Sequence, residues 1–340
     1  MVTEEVAGGA VTLVLGVDGG GTKTHALVAD LSGTVHGIAR DGPSNWESIG
    51  LEVAGEVIRA VVLEAIEAAG ANRSDVGAST YGLGGIDWPA DVERLDPLIG
   101  TLGISGPRRL VNDSFVAMRA GTDASCAVVI VAGTGSVAAG RNEAGQTYRT
   151  LGLGASFGDF GSAGDVTWEA VAAVARAHTG AGEQTVLREL LLQATGTSSA
   201  AEMLEALSRN RIPLPSGAPL VVTAAEDGDA VAREILRRVG RSLGASGAVV
   251  ARQLGILDRS FEVVLAGGLF RGGSRLLLDS LRGEISRVAP RAVLTRVETP
   301  PVVGATLMAM DLLGMAPSGE VRERLSSVAA FELEAERPVG

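Results

Sequence analysis

Two glycine-rich turns hold the residues best suited to binding phosphate. The first runs from Asp18 to Thr24 and the second from Ala132 to Ser136, each after an apolar stretch. Glycine lets a backbone approach an anion closely and adopt φ above zero, so that several N–H groups can converge on phosphate oxygens. One Asp-Gly turn alone would be an ordinary hairpin. Two such turns, about 114 residues apart, indicate a phosphate site. Its candidate ligands are Gly19, Gly20, Gly21, Thr22, Lys23, Gly133, Thr134, Gly135 and Ser136.

Two carboxylates lie where phosphoryl chemistry could use them. Asp18 ends the first apolar strand and could hold Mg²⁺ through water. Asp113 follows the predicted strand Arg109 to Asn112, and ligands of α/β sheets gather at such carboxyl ends. Phosphoryl transfer to a hydroxyl needs a carboxylate that orients the nucleophile and accepts its proton, which makes Asp113 the candidate catalytic base. A second interpretation stays open, in which Asp113 only caps the helix that starts at Ser114.

A third glycine element follows the apolar run Val263 to Ala266. Bare backbone at Gly267 and Gly268 could contact a purine and a ribose. A tight turn between a strand and a helix explains the two glycines equally well.

Other catalytic motifs fit this chain poorly. It has no G-x-x-x-x-G-K-[ST] loop and no G-x-G-x-x-G after a strand. Residues 154–158 match the G-x-S-x-G elbow of hydrolases, but the histidine of a triad must follow an intervening acid, and His178 comes too soon after Ser156. Cys126 is the only cysteine, which excludes a disulfide framework and an iron–sulfur or zinc–thiolate site. The other histidines, His25 and His36, are scattered.

Length and charge narrow the class of protein. At 340 residues the chain can form two domains, each with its own core. The net charge of −11 disfavours nucleic acid or an anionic membrane as a partner. The first ten residues carry Glu4 and Glu5 instead of a basic signal, and no apolar run is long enough to span a bilayer. We therefore expect a cytoplasmic protein.

The order of predicted elements suggests an internal duplication. A strand, a glycine turn, a strand, a second turn and a third strand occur near residues 11–40 and again near 126–150. We expect an α/β fold of two similar lobes with a ligand cleft between them. The N-terminal lobe is predicted at 10–122, the C-terminal lobe at 123–301 and a tail at 317–340, with the helix at 302–314 packed on the first lobe.

Five ordered motifs resemble those of the N-acetylglucosamine kinases within the BadF/BadG/BcrA/BcrD ATPase family. They are Pro43 to Trp46, Gly82 to Gly85, Asn112-Asp113, Ala132 to Ser136 and Gly158 to Ala163, and the resemblance runs from about Leu13 to Leu313. It implies the actin/hexokinase (ribonuclease H-like) fold, ATP and Mg²⁺ as cofactors, an amino-sugar substrate such as N-acetylglucosamine or glucosamine, and a homodimer.

The same resemblance implies specific substrate contacts. Asn45, Asp113 and Asp159 contact the sugar in that family, Gly84 and Gly85 line the acceptor pocket, and Gly152 belongs to the same site. Two positions depart from the pattern, because Leu153 replaces a usual Trp and Phe160 a usual Glu. The departures imply an altered pocket. They leave room for an ATP-binding protein with another small-molecule substrate or a regulatory, non-catalytic role.

Overall fold

The computed structural model describes residues 12–335. These residues fall into two units, one formed by residues up to Gly121 and from Thr299 onward, the other by Thr122–Glu298. Each unit is built around its own five-stranded sheet.

The N-terminal part of the first unit alternates strands and helices. A 3₁₀ turn at Arg73–Asp75 precedes the fourth strand. The elements are β1 (Leu13–Gly19), β2 (Thr24–Asp30), β3 (Val35–Asp41), α1 (Trp46–Ile49), α2 (Leu51–Ala68), β4 (Val76–Leu83), α3 (Pro89–Gly100), β5 (Arg108–Asn112) and α4 (Asp113–Gly121).

The second unit repeats three strands before a series of helices. A 3₁₀ turn at Ala155–Phe157 lies between its third strand and first helix. The elements are β6 (Ala127–Ala132), β7 (Ser136–Arg141), β8 (Thr147–Arg149), α5 (Ala163–His178), α6 (Leu187–Thr195), α7 (Ala200–Ser208), α8 (Gly217–Glu226), α9 (Ala230–Gln253), β9 (Phe261–Ala266), α10 (Gly268–Arg271), α11 (Arg275–Val288) and β10 (Ala292–Arg296).

Two further helices complete the first unit. They are α12 (Pro301–Leu312) and α13 (Gly319–Ala335). Helix α12 packs on β1, β4 and α4. Helix α13 has 17 residues and lies within the predicted tail at 317–340.

The two sheets share one topology. The first has the order β3-β2-β1-β4-β5, and the second, read in the matching direction, has the order β8-β7-β6-β9-β10. In each sheet the first three strands are antiparallel and the last two run parallel to the first. The predicted α/β class and the repeated strand and turn pattern are confirmed.

Side chains of β1 alternate between two cores of the first unit. Leu15 and Val17 join the core formed with α2, whereas Val14 belongs to the core formed with α12. Gly16 lies on the α12 face, where a Cβ would come within 2.4 Å of the Thr306 backbone nitrogen. The helix can therefore pack on this strand only because residue 16 lacks a side chain.

We expect Gly16→Ala to lower the stability of the first unit by about 1–3 kcal/mol, because the added methyl forces backbone apart in a packed core. Thermal unfolding followed by circular dichroism measures the change. Gly283→Ala is the matched control, since a Cβ at that helical position meets no atom within 4 Å. Equal melting temperatures for the two variants would contradict the close-packing explanation.

Glycines on α9 set the packing of the second unit in the same way. A Cβ on Gly240 would lie 2.4 Å from the Leu277 carbonyl oxygen, and one on Gly244 would lie 2.5 Å from that of Leu281. The two glycines are four residues apart and therefore share one helix face. That bare face lets α11 approach the backbone of α9.

Candidate active site

The first glycine turn is held by main-chain hydrogen bonds to two other loops. Gly84 N donates to Gly19 O at 2.7 Å, and the backbone nitrogens of Ser44 and Asn45 donate to Gly20 O at 3.0 and 3.2 Å. The turn at the end of β1 is thereby joined to the loop after β3 and to the end of β4.

The reason for glycine in this turn differs from the predicted one. Gly19, Gly20 and Gly21 do not have φ above zero, so left-handed backbone is not what they supply. Gly19 is needed for close approach, because a Cβ there would lie 2.2 Å from Ser44 Oγ. Gly21, Thr22 and Lys23 form the exposed tip of the turn.

Three groups converge beside Gly84. A methyl group on its Cα would lie 3.5 Å from Gly20 Cα, 3.6 Å from Asn45 Nδ2 and 3.6 Å from Asp113 Oδ2. A glycine turn, an amide donor and a carboxylate acceptor thus face one point in the first unit. These are the groups needed to place a hydroxyl-bearing ligand next to a phosphate.

Asn45 is fixed at one end of its side chain. Its Oδ1 accepts from Glu47 N at 3.0 Å and so caps α1. No acceptor among residues 12–335 takes the Nδ2 donors, which leaves them for a ligand. Trp46 fixes the neighbouring loop, because its Nε1 donates to Gly85 O at 2.7 Å. Gly85 has φ of +83°, a conformation that favours glycine.

The cap of α4 is Asn112 and not Asp113. Asn112 Oδ1 accepts from Ser114 N at 3.1 Å and from Ser114 Oγ at 2.5 Å, while Asn112 Nδ2 donates to Asp87 Oδ1 at 3.2 Å. Helix α4 begins at Asp113, one residue earlier than the predicted start at Ser114. The capping interpretation of Asp113 is therefore wrong, because the preceding side chain does that work.

Asp18 lies close enough to Asp113 for the two charges to interact. Burial and then the Asp113 carboxylate raise the pKa of Asp18 to about 7, and the Lys23 ammonium acts in the opposite direction. Ionising both carboxylates is therefore costly unless a cation is present. Mg²⁺ accepts one or two carboxylates together with phosphate oxygens and water, so this donor set fits the ion.

We expect Asp18→Asn to stabilise the ligand-free protein at pH 8 by about 2 kcal/mol and to change little at pH 4. Because the pKa of Asp18 is higher in the folded state, the carboxyl of the unfolded chain ionises first as the pH rises, near 3.8. The folded protein therefore loses stability between that pH and about 7, where the folded carboxyl ionises. Partial solvent access to Asp18 keeps the gain below the full shift. Melting temperatures at the two pH values measure it, with the change Asp258→Asn at an exposed residue as control. A smaller gain at pH 8 than at pH 4 contradicts the assignment.

The second glycine turn is also tied to its surroundings. Gly133 N donates to Gly135 O at 2.9 Å, and Ala163 N donates to Gly133 O at 2.9 Å. A Cβ on Gly133 or Gly135 would meet nothing within 4 Å, so the space beside both is open. Ser136 Oγ donates to Asp159 O at 2.8 Å. The turn is thus joined to the loop that carries Asp159.

Gly267 belongs to the same region of the second unit. It has φ of +105°, and a Cβ on it would lie 2.3 Å from the Ala132 carbonyl oxygen. The third glycine element therefore lies beside the strand that leads into the second turn. Gly268 is the first residue of α10.

Asp159 organises its own loop. This buried residue accepts from Gly152 N at 2.7 Å and from Leu153 N at 3.2 Å, both through Oδ2. No donor in the described part of the chain reaches Oδ1. One carboxylate oxygen thus holds the loop, and the other remains for a ligand.

The two positions that depart from the family pattern line one concavity of the second unit. It has a volume of about 780 Å³, and Leu153, Phe160 and Trp168 form its apolar wall. The Arg238 guanidinium lies 4.7 Å from the Phe160 ring centroid and pairs with Glu169 at 2.7 Å. Phe160 therefore presents an aromatic ring to this concavity, at the position where the resemblance implied a Glu.

The G-x-S-x-G segment is a glycine-bounded turn. Gly154 and Gly158, with φ of +88° and +98°, flank the 3₁₀ turn at Ala155–Phe157, and β8 ends five residues earlier at Arg149. A nucleophile elbow lies between a strand and a helix at the serine itself. The hydrolase interpretation therefore lacks its structural context.

The structure brings most of the predicted residues together within each unit. The first unit groups Asp18, Gly19, Gly20, Asn45, Gly84, Gly85 and Asp113, and the second groups Gly133, Gly135, Ser136, Gly152, Asp159 and Gly267. Sequence reasoning missed the structural roles of Ser44, Trp46 and Asp87. The Pro-Ser-Asn-Trp motif carried a signal for the first two.

The architecture is a known fold. The described architecture matches a solved structure of a candidate N-acetylglucosamine kinase from Chromobacterium violaceum with a TM-score of 0.65 at 23% identity, covering 88% of this chain and 100% of that one. It matches a ROK family glucokinase from Streptomyces griseus, solved with glucose and AMPPNP, with a TM-score of 0.59 at 21% identity, covering 88% and 99%. The fold is that of the actin and hexokinase-type sugar kinases.

The sequence then gives the family. The sequence model of the BadF/BadG/BcrA/BcrD ATPase family matches residues 15–309, and the chain belongs to this family. It is 28% identical over 299 residues to an N-acetylmuramic acid/N-acetylglucosamine kinase of Clostridium acetobutylicum. The aligned region covers 87% of this chain and 97% of the relative. It is 27% identical to an N-acetyl-D-glucosamine kinase of Dictyostelium discoideum, covering 88% and 98%.

Two features are absent from the described part of the chain, residues 12–335. No helix there combines the length and apolar character needed to cross a bilayer. Among the described side chains, those of residues 12–330, no group of three or more His, Cys, Asp or Glu is arranged to hold a metal ion.

Proposed function

We propose that this chain is an ATP-dependent kinase that phosphorylates a hydroxyl group of an amino sugar such as N-acetylglucosamine. The observation that carries the proposal is the convergence of Gly20, Asn45 Nδ2 and Asp113 Oδ2 beside Gly84. The activities named for the two curated relatives support an amino sugar as the acceptor.

The proposed reaction uses Asp113 as general base. The acceptor hydroxyl donates a hydrogen bond to Asp113 Oδ2. Asn45 Nδ2 orients the sugar by donating a hydrogen bond to one of the sugar oxygens. As the hydroxyl oxygen attacks the γ-phosphorus of ATP, its proton passes to Asp113, and the bond to the β–γ bridging oxygen breaks to release ADP. Anchoring of Asn45 by its capping bond limits its motion during this step.

Other chain groups would bind the nucleotide. We propose that backbone N–H groups at Gly19 to Lys23 and Gly133 to Ser136 contact the phosphates, and that Gly267 and Gly268 contact the adenosine. Asp18 would hold Mg²⁺, which when bound neutralises charge on the phosphate oxygens. Asp159 Oδ1 would bind a sugar hydroxyl, with Gly152 in the same loop. A cytoplasmic location and a homodimer stay predictions.

A coupled assay tests the function. Purified protein is incubated with ATP, Mg²⁺ and a panel of sugars: N-acetylglucosamine, N-acetylmuramic acid, glucosamine and glucose. We expect ADP to form in equal amount to a phosphorylated amino sugar. ATP binding without sugar-dependent ADP would instead support a regulatory nucleotide-binding protein. ADP formation that does not depend on any sugar would contradict the kinase assignment.

A further inference from the structure

His25 is a buried histidine whose ring nitrogens have no hydrogen-bond partner. His25 is 2% exposed, and neither its Nδ1 nor its Nε2 forms a hydrogen bond with any other described residue. Burial, then Lys23 and Arg40, lowers its pKa to about 3, so the ring is neutral and carries one N–H donor. A buried donor without an acceptor is costly, and such groups in native proteins need an explanation.

The sheet register places one acceptor next to this donor. In the antiparallel pair of β1 and β2, His25 lies directly opposite Asp18. Opposed residues on antiparallel strands project from the same face with Cβ atoms about 4.5–5.5 Å apart. On its other side His25 lies opposite Arg40, which carries donors only. Lys23, two residues away, also offers no acceptor, so among these three neighbours only Asp18 can receive the His25 N–H.

We propose that His25 is a positioning residue that donates a hydrogen bond to the Asp18 carboxylate and fixes it for binding metal–ATP. The inference rests on the proposed function, because it assigns Asp18 to the metal. The Asp18 carboxylate is the acceptor that the strand register places opposite the orphaned N–H. Hydrogen bonds of this kind orient ligating carboxylates, and their loss commonly weakens metal affinity by about 10–100-fold.

The test replaces His25 with one residue that lacks an N–H donor and with one that retains such a donor. His25→Phe keeps a ring and removes both nitrogens, whereas His25→Gln keeps a donor. Thr80→Val is the matched control, because Thr80 Oγ1 is also buried without a partner but lies opposite Gly16 instead of Asp18. Binding of Mn²⁺ with ATP is measured by electron paramagnetic resonance, ATP binding in EDTA by calorimetry, and folding by the melting temperature.

We expect His25→Phe to raise the dissociation constant for Mn²⁺ with ATP by about 10–100-fold while ATP affinity in EDTA is unchanged. Its melting temperature should be equal or higher, because an unsatisfied buried group is removed. His25→Gln should recover most of the metal affinity, and Thr80→Val should match the wild type.

Two outcomes overturn the proposal. One is wild-type affinity for Mn²⁺ with ATP in His25→Phe, and the other is a loss of that affinity in His25→Gln and Thr80→Val as large as in His25→Phe. If His25→Phe does not fold, His25→Leu takes its place against His25→Gln. Assays of the wild-type protein separate this inference from the proposed function. If the protein binds metal–ATP but forms no ADP in response to sugar, the kinase proposal is refuted, while the comparison of His25 variants can still be made.

Discussion

Replacing Asp113 with asparagine is expected to lower turnover by a factor of about 10² to 10⁴ while nucleotide binding is retained, because the amide cannot accept the proton of the attacking hydroxyl. Steady-state kinetics with the best amino sugar gives kcat and KM, and calorimetry gives the affinity for ATP with Mg²⁺. Loss of kcat with little change in sugar KM is the expected pattern for a group that acts in the transition state.

Asn112→Ala is the control for this prediction. Asn112 caps α4 through both the nitrogen and the hydroxyl of Ser114, so its loss should cost about 1 kcal/mol of stability. Asp113→Asn should not lower the melting temperature, because it also removes the repulsion between Asp113 and Asp18. If Asp113→Asn keeps near-normal turnover, or if it destabilises the fold as much as Asn112→Ala does, Asp113 is not the base.

Enlarging Gly84 is expected to lower kcat/KM for the sugar by about 100-fold and to raise its KM, because displacement of a reacting group by about 1 Å slows a reaction by a factor of that size. The first carbon added to Gly84 meets only ordinary contacts, at 3.5–3.6 Å. In Gly84→Val the further methyl groups occupy the space beside Asn45 Nδ2 and Asp113 Oδ2. Kinetics at saturating ATP measures the effect.

Two comparisons separate site filling from misfolding. Gly283→Val adds the same side chain at a helical position where a Cβ meets no atom within 4 Å, and it should leave sugar KM unchanged. Gly85→Ala should instead destabilise the loop, because Gly85 has φ of +83° and a Cβ would lie 2.7 Å from Asn45 Oδ1. Wild-type sugar KM in Gly84→Val would place the acceptor elsewhere.

Amphipathic periodicity in the sequence predicts helices at 163–178 and at 229–254. The first matches α5, and the second differs from α9 by one residue at each end, since Asp229 is the N-cap. Strand β4 was missed as an element, although its last residues were recognised as a motif. It is a buried strand between β1 and β5, and Ser79 and Thr80 interrupt its apolar pattern. Parallel pairing decides its structure, and local sequence does not reveal such pairing.

The sequence by itself determined the duplicated strand and turn pattern, the glycine turns and the candidate carboxylates, because these depend on residue type and local order. Only the tertiary structure decided what each group does. Asn112 caps α4 in place of Asp113, Gly19 is required by its approach to Ser44, and His25 is aligned with Asp18. These assignments depend on distances between segments far apart in the chain, which arise only when the sheet forms and its register is set.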